Sequence, residues 1–423
     1  MKKKYLSSVL AASLCLGLAA CSNNNENKNV EGAAENVKLT MMLTVGEQGV
    51  RDVIQEIVAN YQTEHPETQI EVQFPGSNYE SIMKMKMASN ELPDIFDTHG
   101  WAKLRYGDYT MDLKNEPWAA KMSDTIKPTL TDESGKVYAL PLNEAKDGLF
   151  YNVKVLEKYG VTPPATLDEL LASAEKIKTE SKGEVIPMFF SGLDPWTIGQ
   201  FFDMMANPLL ITPPQNEAQA LLDGTFDWNK WTYLPEKFKE IYDKGYTNND
   251  LLTAKYADEA RLFAEDKLAF AFHTPSSYAD IQKINPDVKM GIAPLPAIVA
   301  GDEPTFAGGE RLALGVWKDT NYPEQTKDFL NYMAQPDNVK KVSDATLSPA
   351  ALKDVSGGGA FSDYYDQYKD TKVLPYFDRI YLPNGMWDVM ITNAQELLAG
   401  NITAKKYSEN MKSEVERLKA QQK

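Results

Sequence analysis

From Val37 onward, apolar and polar positions follow two alternating rhythms. Val37 to Val45 alternates and then runs apolar, as a first buried strand does. Val50, Val53, Ile54, Ile57, Val58 and Tyr61 recur at helical spacing, which predicts an amphipathic helix. His65-Pro66 ends it, because proline disfavours helix in the residue before it. Ile70 to Phe74 alternates as a second strand, Tyr79 to Ser89 is a methionine-rich helix, and Pro93 to Asp97 is a third short strand. Strand, helix, strand, helix, strand predicts a mostly parallel sheet with right-handed crossovers.

The pattern then loosens. Lys136 to Pro141 and Gly148 to Asn152 read as strands separated by a polar crossing at Asn143 to Asp147. Val153 to Tyr159 is a short helix, and Thr166 opens another, with Glu169 at the capping-box position. Further strands are predicted at Ile186–Phe190, Leu268–Phe272, Val288–Ile292 and Leu312–Val316. Helices are predicted at Trp196–Ala206, Glu236–Lys244, Ala257–Glu265 and Pro323–Met333. After the break at Gly357-Gly358-Gly359 the remainder reads as helical.

The first 36 residues follow neither rhythm. Lys2, Lys3 and Lys4 precede an apolar stretch from Tyr5 to Ala20, a leader too short to hold as a transmembrane span. Its end, Leu18-Ala19-Ala20-Cys21, resembles the lipobox of bacterial lipoproteins, which implies residues 1–20 as a signal peptide and lipid on Cys21. The other reading is a plain secretory signal with an incidental cysteine. Residues 21–36 are rich in Asn, Glu and Lys and read as a disordered linker between membrane and folded body.

Composition narrows the class. The folded part has no cysteine, because Cys15 belongs to the leader, so disulfides and cysteine metal sites are excluded there. His65, His99 and His273 lie too far apart for metal-ligand spacing, and neither a metal nor another cofactor is expected. Net charge is −16, and −19 once the three leader lysines are gone, which argues against nucleic acid and polyanionic ligands. Arg51, Arg105, Arg261, Arg311, Arg379 and Arg417 are the only arginines, so no arginine cluster for phosphorylated ligands is expected. The length after the linker suits two domains.

Four blocks, in order, resemble the extracellular solute-binding proteins of sugar ABC importers, the maltose- and oligosaccharide-binding family 1. They are Leu92-Pro93-Asp94-Ile95-Phe96; Gly135 to Pro141 running through Leu149-Phe150-Tyr151-Asn152 to Thr166-Leu167-Asp168-Glu169-Leu170; Phe306-Ala307-Gly308-Gly309 with Pro323-Glu324 and Phe329-Leu330; and Leu397 to Thr403. The resemblance implies an α/β, two-lobed, periplasmic-binding-protein-like fold of type II, with discontinuous lobes joined by a hinge. It places an N-terminal lobe at 37–144 plus 273–316 and a C-terminal lobe at 145–272 plus 317–423. Crossings are expected near Asn143–Asp147, His273 and Val316–Lys318. It further implies a non-enzymatic monomer on the extracytoplasmic face of a bacterial membrane. Such a protein captures a carbohydrate and delivers it by hinge closure to two membrane-spanning permease subunits, whose ATPase lies on the far side.

A sugar offers hydroxyls and weakly apolar C–H faces, so carboxylates, amides and aromatic rings on loops after strands are its natural partners. Glu47 and Gln48 follow the first strand, although Glu47 reads equally as a helix-start acid. Asn78 follows the second strand, where asparagine is also a common cap, and His99 and Trp101 follow the third. Glu144 and Asp147 lie at the expected hinge, with solvated turn acids as the alternative. Trp196 stands at a helix entrance, His273 ends a strand, Gly309 and Glu310 bring bare backbone near a ligand, and Trp387 is a stacking candidate in the far lobe. Rival readings are a glycoside hydrolase using Asp94 and Asp97, a peptide binder, and a ferric-ion binder using Tyr364 and Tyr365. The tyrosine pair also reads as part of an amphipathic helix.

Overall fold

The computed structural model describes residues 36–273 and 275–421. The leader, Cys21 and nearly all of the expected linker lie outside them. Strand β1 (Val37–Met42) pairs in parallel with β2 (Thr68–Gln73) and β3 (Ile95–Asp97), as the strand–helix alternation predicts. The helix Gln48–Glu64 between β1 and β2 buries Val50, Ile54, Ile57, Val58 and Tyr61, the stripe read from sequence. The sheet is completed by β4 (Leu140–Pro141) and, from much later in the chain, β10 (Ala313–Val316), in the order β2-β1-β3-β10-β4. Antiparallel β10 takes up the free edges of both β3 and β4.

The second sheet is built around β5 (Glu144–Asn152), whose residues are all buried. Its first half pairs with β9 (Phe306–Glu310), and its second half lies between β7 (Leu268–His273) and β8 (Met290–Ala293). Strand β6 (Ile186–Met188) extends β7 and β11 (Val373–Pro375) extends β9. Beside it, Thr166 caps the helix Leu167–Glu180 by accepting from the Glu169 N–H at 3.2 Å, while the Glu169 carboxylate accepts from the Ala165 N–H at 2.8 Å.

Two of the crossings between the sheets lie side by side. The chain leaves β4 for β5 at residues 142–143 and returns from β9 to β10 at 311–312. Asn143 Oδ1 accepts from the Leu312 N–H at 2.9 Å, stitching the crossings together. The first matches the sequence expectation. At His273, however, the chain stays in the second sheet, because β8 gives its backbone hydrogen bonds to β5.

The lobe boundaries shift accordingly. Residues 290–310 belong with the second sheet rather than the first. Phe329, Leu330, Met333, Val339 and Val342 pack into the core of Leu39, Ile54 and Leu314, so the helices Pro323–Met333 and Pro336–Ala345 cover the first sheet. The return to the second sheet therefore comes after these helices, not at Val316–Lys318. The stretch after the triple glycine is not helical throughout, since β11 interrupts it before the helices Met386–Leu398 and Ala404–Gln421. No helix among the described residues is long and apolar enough to cross a membrane.

Candidate functional site: the interlobe cleft

A cavity of about 510 Å³ opens between the two sheets, over the paired crossings. The first lobe contributes the loop after β1 (Thr44 to Glu47), Asp97 at the end of β3, His99 after it, and Thr346. The second contributes Trp196 and Gln200 from the helix Trp196–Leu210, Tyr256, His273, Tyr376 and Arg379. Asn143, Asp147, Glu310 and Arg311 supply the floor. Ligands of α/β sheets bind beyond strand ends in this way, where successive connections diverge.

Asp147 is anchored through one of its two carboxylate oxygens. Its Oδ2 accepts from Gln200 Nε2 at 2.9 Å and from the Tyr376 hydroxyl at 2.8 Å, while Oδ1 is buried without a hydrogen bond and lies 3.9 Å from Arg311. Burial pushes the carboxyl above its ordinary range, and the Arg311 charge pulls the other way. Glu310 accepts from the Thr98 hydroxyl at 2.7 Å and the Gly100 N–H at 2.6 Å; burial raises its carboxyl too, against those bonds. Asp97 takes the His99 N–H at 3.0 Å and the Thr44 hydroxyl, and burial again pushes it up. His99 has φ +33, a region non-glycine residues rarely occupy, and its Nε2 meets Glu80 at 2.5 Å. His273 Nε2 lies 2.9 Å from the Glu259 carboxylate.

On the second-lobe wall, Trp196 meets Tyr256 edge to face at 4.7 Å between ring centroids and His273 at 5.8 Å. Aromatic edges beside carboxylate, amide and guanidinium groups suit a ligand with C–H faces and hydroxyls. No cluster of His, Cys, Asp or Glu among the described residues could hold a metal ion.

Of the residues singled out from sequence, Glu47, His99, Asp147, Trp196, His273 and Glu310 line the cavity. Gln48 lies just inside its helix, where its amide donates to Asp52 at 2.7 Å, and Asn78 is exposed; neither lines the cavity. Glu144 faces away from it, accepting from the Ser123 and Thr125 hydroxyls at 2.7 Å each. Gly309, at φ +147, borders smaller hollows behind β9. Trp101 is buried among Met42, Phe96 and Tyr106, with the Arg105 guanidinium 4.2 Å from its ring centroid and Arg379 at 5.7 Å. Trp387 packs against Gly199, where an added Cβ would come within 2.8 Å of the indole. Both tryptophans read as ligand faces in sequence; neither lines this cavity.

Sequence reasoning missed Asn143, Gln200, Tyr256, Arg311, Tyr376 and Arg379 as lining residues. Arg311 follows Glu310 directly and was within reach of the same argument. The others depend on tertiary placement. The expected absence of an arginine cluster also needs correction, since Arg311 and Arg379 both reach the cavity and Arg105 shares the Trp101 ring with Arg379. The carboxylate pair suggested for hydrolysis divides into two structural roles. Asp94 is taken up by Thr40 (2.8 Å) and Thr320 (2.6 Å), while Asp97 holds the loops around it. Tyr365 is buried with its hydroxyl donating to the Leu347 carbonyl at 3.1 Å, as the helix reading of the tyrosine pair has it.

Two lobes of interleaved chain, joined by adjacent crossings under a polar and aromatic cleft, have the architecture of a hinged binding protein. Residues 48–340 match the bacterial extracellular solute-binding proteins, and the chain belongs to that family. The melibiose/raffinose/stachyose-binding protein MelE of Bacillus subtilis is 43% identical over 384 residues, 90% of each chain. The multiple sugar-binding protein of Streptococcus mutans is 23% identical over 356 residues, 80% of each. Among solved structures, a Bacillus licheniformis sugar transporter in complex with stachyose is 47% identical with a TM-score of 0.84, covering 90% of this chain and all (100%) of that one. A Bacillus subtilis binding protein in an open conformation is 42% identical with a TM-score of 0.86, covering 92% and 99%. The chain is accordingly a non-enzymatic, extracytoplasmic binding component of an ABC importer.

Proposed function

We propose that the cleft captures an uncharged oligosaccharide of the melibiose, raffinose and stachyose class. The observation that carries this reading is the pairing of Trp196 and Tyr256 with the buried, unsaturated Asp147 carboxylate in one cavity. Rings cover C–H faces while Asp147, Asn143 and Gln200 exchange hydrogen bonds with hydroxyls. The name of MelE and the stachyose bound to the Bacillus licheniformis protein support the choice of sugar. Closure of the lobes about residues 142–143 and 311–312 then buries the sugar, and the closed form is what the permease recognises.

The mature protein acts as a monomer tethered by lipid on Cys21 to the outer face of the cytoplasmic membrane. The linker gives it reach to a permease of two membrane-spanning subunits. A thermal-shift screen of mono- and oligosaccharides tests the sugar class, since a ligand that binds only the native state raises the melting temperature. Melibiose, raffinose or stachyose should shift it, and maltose should not. A shift with maltose alone would overturn the assignment.

A further inference from the structure

Beyond the Tyr376–Arg379 wall lies a second chamber of about 310 Å³. It shares Glu310, Tyr376 and Arg379 with the main cavity, so the two are neighbours across one set of side chains. Arg379 occupies the boundary. Its guanidinium sits 4.1 Å from the Tyr376 ring centroid, and a Cβ on Gly100, which has φ +96, would lie 1.8 Å from it, so a larger residue there would push the guanidinium aside.

Of the remaining lining, Lys103 and Thr129 are polar, and the apolar part comes from both lobes: Leu104 and Pro128 from the first, Pro375 and Ile380 from the second. Leu104 is 66% exposed and Ile380 40%, two large apolar side chains held open to solvent around one hollow. Single exposed apolar residues need no explanation, but two converging on a chamber that abuts a ligand cavity mark a surface awaiting a partner.

We propose that this chamber is an extension subsite. It receives the sugar units of a longer oligosaccharide that project past those held in the main cavity, and Arg379 at the junction sorts chains by length. Leu104 and Ile380 would cover C–H faces of the projecting units, and the guanidinium would donate to hydroxyls at the passage. The inference rests on the sugar reading above.

The test is calorimetric titration of the intact protein and of a Leu104→Ala/Ile380→Ala double variant with melibiose, raffinose and stachyose. Both positions are exposed and outside the main cavity, so the variant should melt with the parent. Stachyose affinity should fall about fivefold to tenfold while melibiose stays within about twofold. An equal fall for all three sugars, or none for stachyose, would overturn the subsite. A parent protein that binds none of the three would instead overturn the sugar reading itself, before any ratio is taken.

Discussion

The Tyr376 hydroxyl donates to Asp147 Oδ2 over 2.8 Å, tying the segment after β11 to the strand that carries the chain across from the first sheet. The bond fixes one carboxylate oxygen and leaves the other, buried and without a hydrogen bond, beside the cavity. Asp147→Asn should therefore weaken sugar binding by about 1.5–3 kcal/mol, the scale of a hydrogen bond to a charged group, with the fold kept. Because burial holds this carboxyl above its ordinary range, binding that uses the ionised form fades as pH falls, and begins to fade above the pH at which a solvated aspartate protonates. Titrations from pH 7.5 down to 4.5 should show this loss in the parent and a flatter profile in the variant.

Trp196 and Trp387 sit on different elements and should separate binding from stability. Trp196→Ala removes an aromatic wall of the cavity and should cost about 1–2 kcal/mol of affinity with little change in melting. Trp387→Ala leaves a void beside Gly199 and should cost about 2–3 kcal/mol of stability while affinity holds. Fluorescence titration and denaturant unfolding of both variants check the pair; the reverse pattern would return Trp387 to the ligand.

Much of this was legible in the chain itself. The parallel start, the Thr166 cap and the crossing at Asn143 follow from local rules of period, capping and polarity. The lobe boundaries did not, because β8 and β9 choose β5 by long-range pairing, and nothing in a strand's own sequence names its partner. Within the site, acids after strands were found because their positions are local, whereas Tyr376 and Arg379 enter from a stretch that reads as continuous helix. Trp101 and Trp387 stand outside the main cavity because of neighbours that no local pattern names, Phe96 and Tyr106 for the first and Gly199 for the second.

Asp203 and Asp378 form a buried acid pair behind Arg379, with the Asp378 N–H donating to Asp203 Oδ1 at 2.7 Å. Burial pushes both carboxyls up, and for Asp203 the neighbouring acid adds to it. The unfolded chain loses these protons in the ordinary carboxylate range and the folded chain keeps them. Their contribution to stability is therefore full at acid pH and is lost as pH rises through the raised folded values. Asp203→Asn keeps the acceptor, removes a charge, and should raise the melting temperature more at pH 8 than at pH 5. A larger gain at pH 5 would contradict the assignment.

Cys21→Ala should release the protein from the membrane fraction into the medium or periplasm and abolish incorporation of labelled palmitate. Retention in the membrane would show a different anchor.

Calorimetric titration of the intact protein with raffinose is the most direct measurement. Saturable 1:1 binding that is lost on adding the Trp196→Ala and Asp147→Asn changes together is the expected result. Absence of heat with raffinose, melibiose and stachyose alike, in a protein that melts cooperatively, would contradict a sugar-holding cleft.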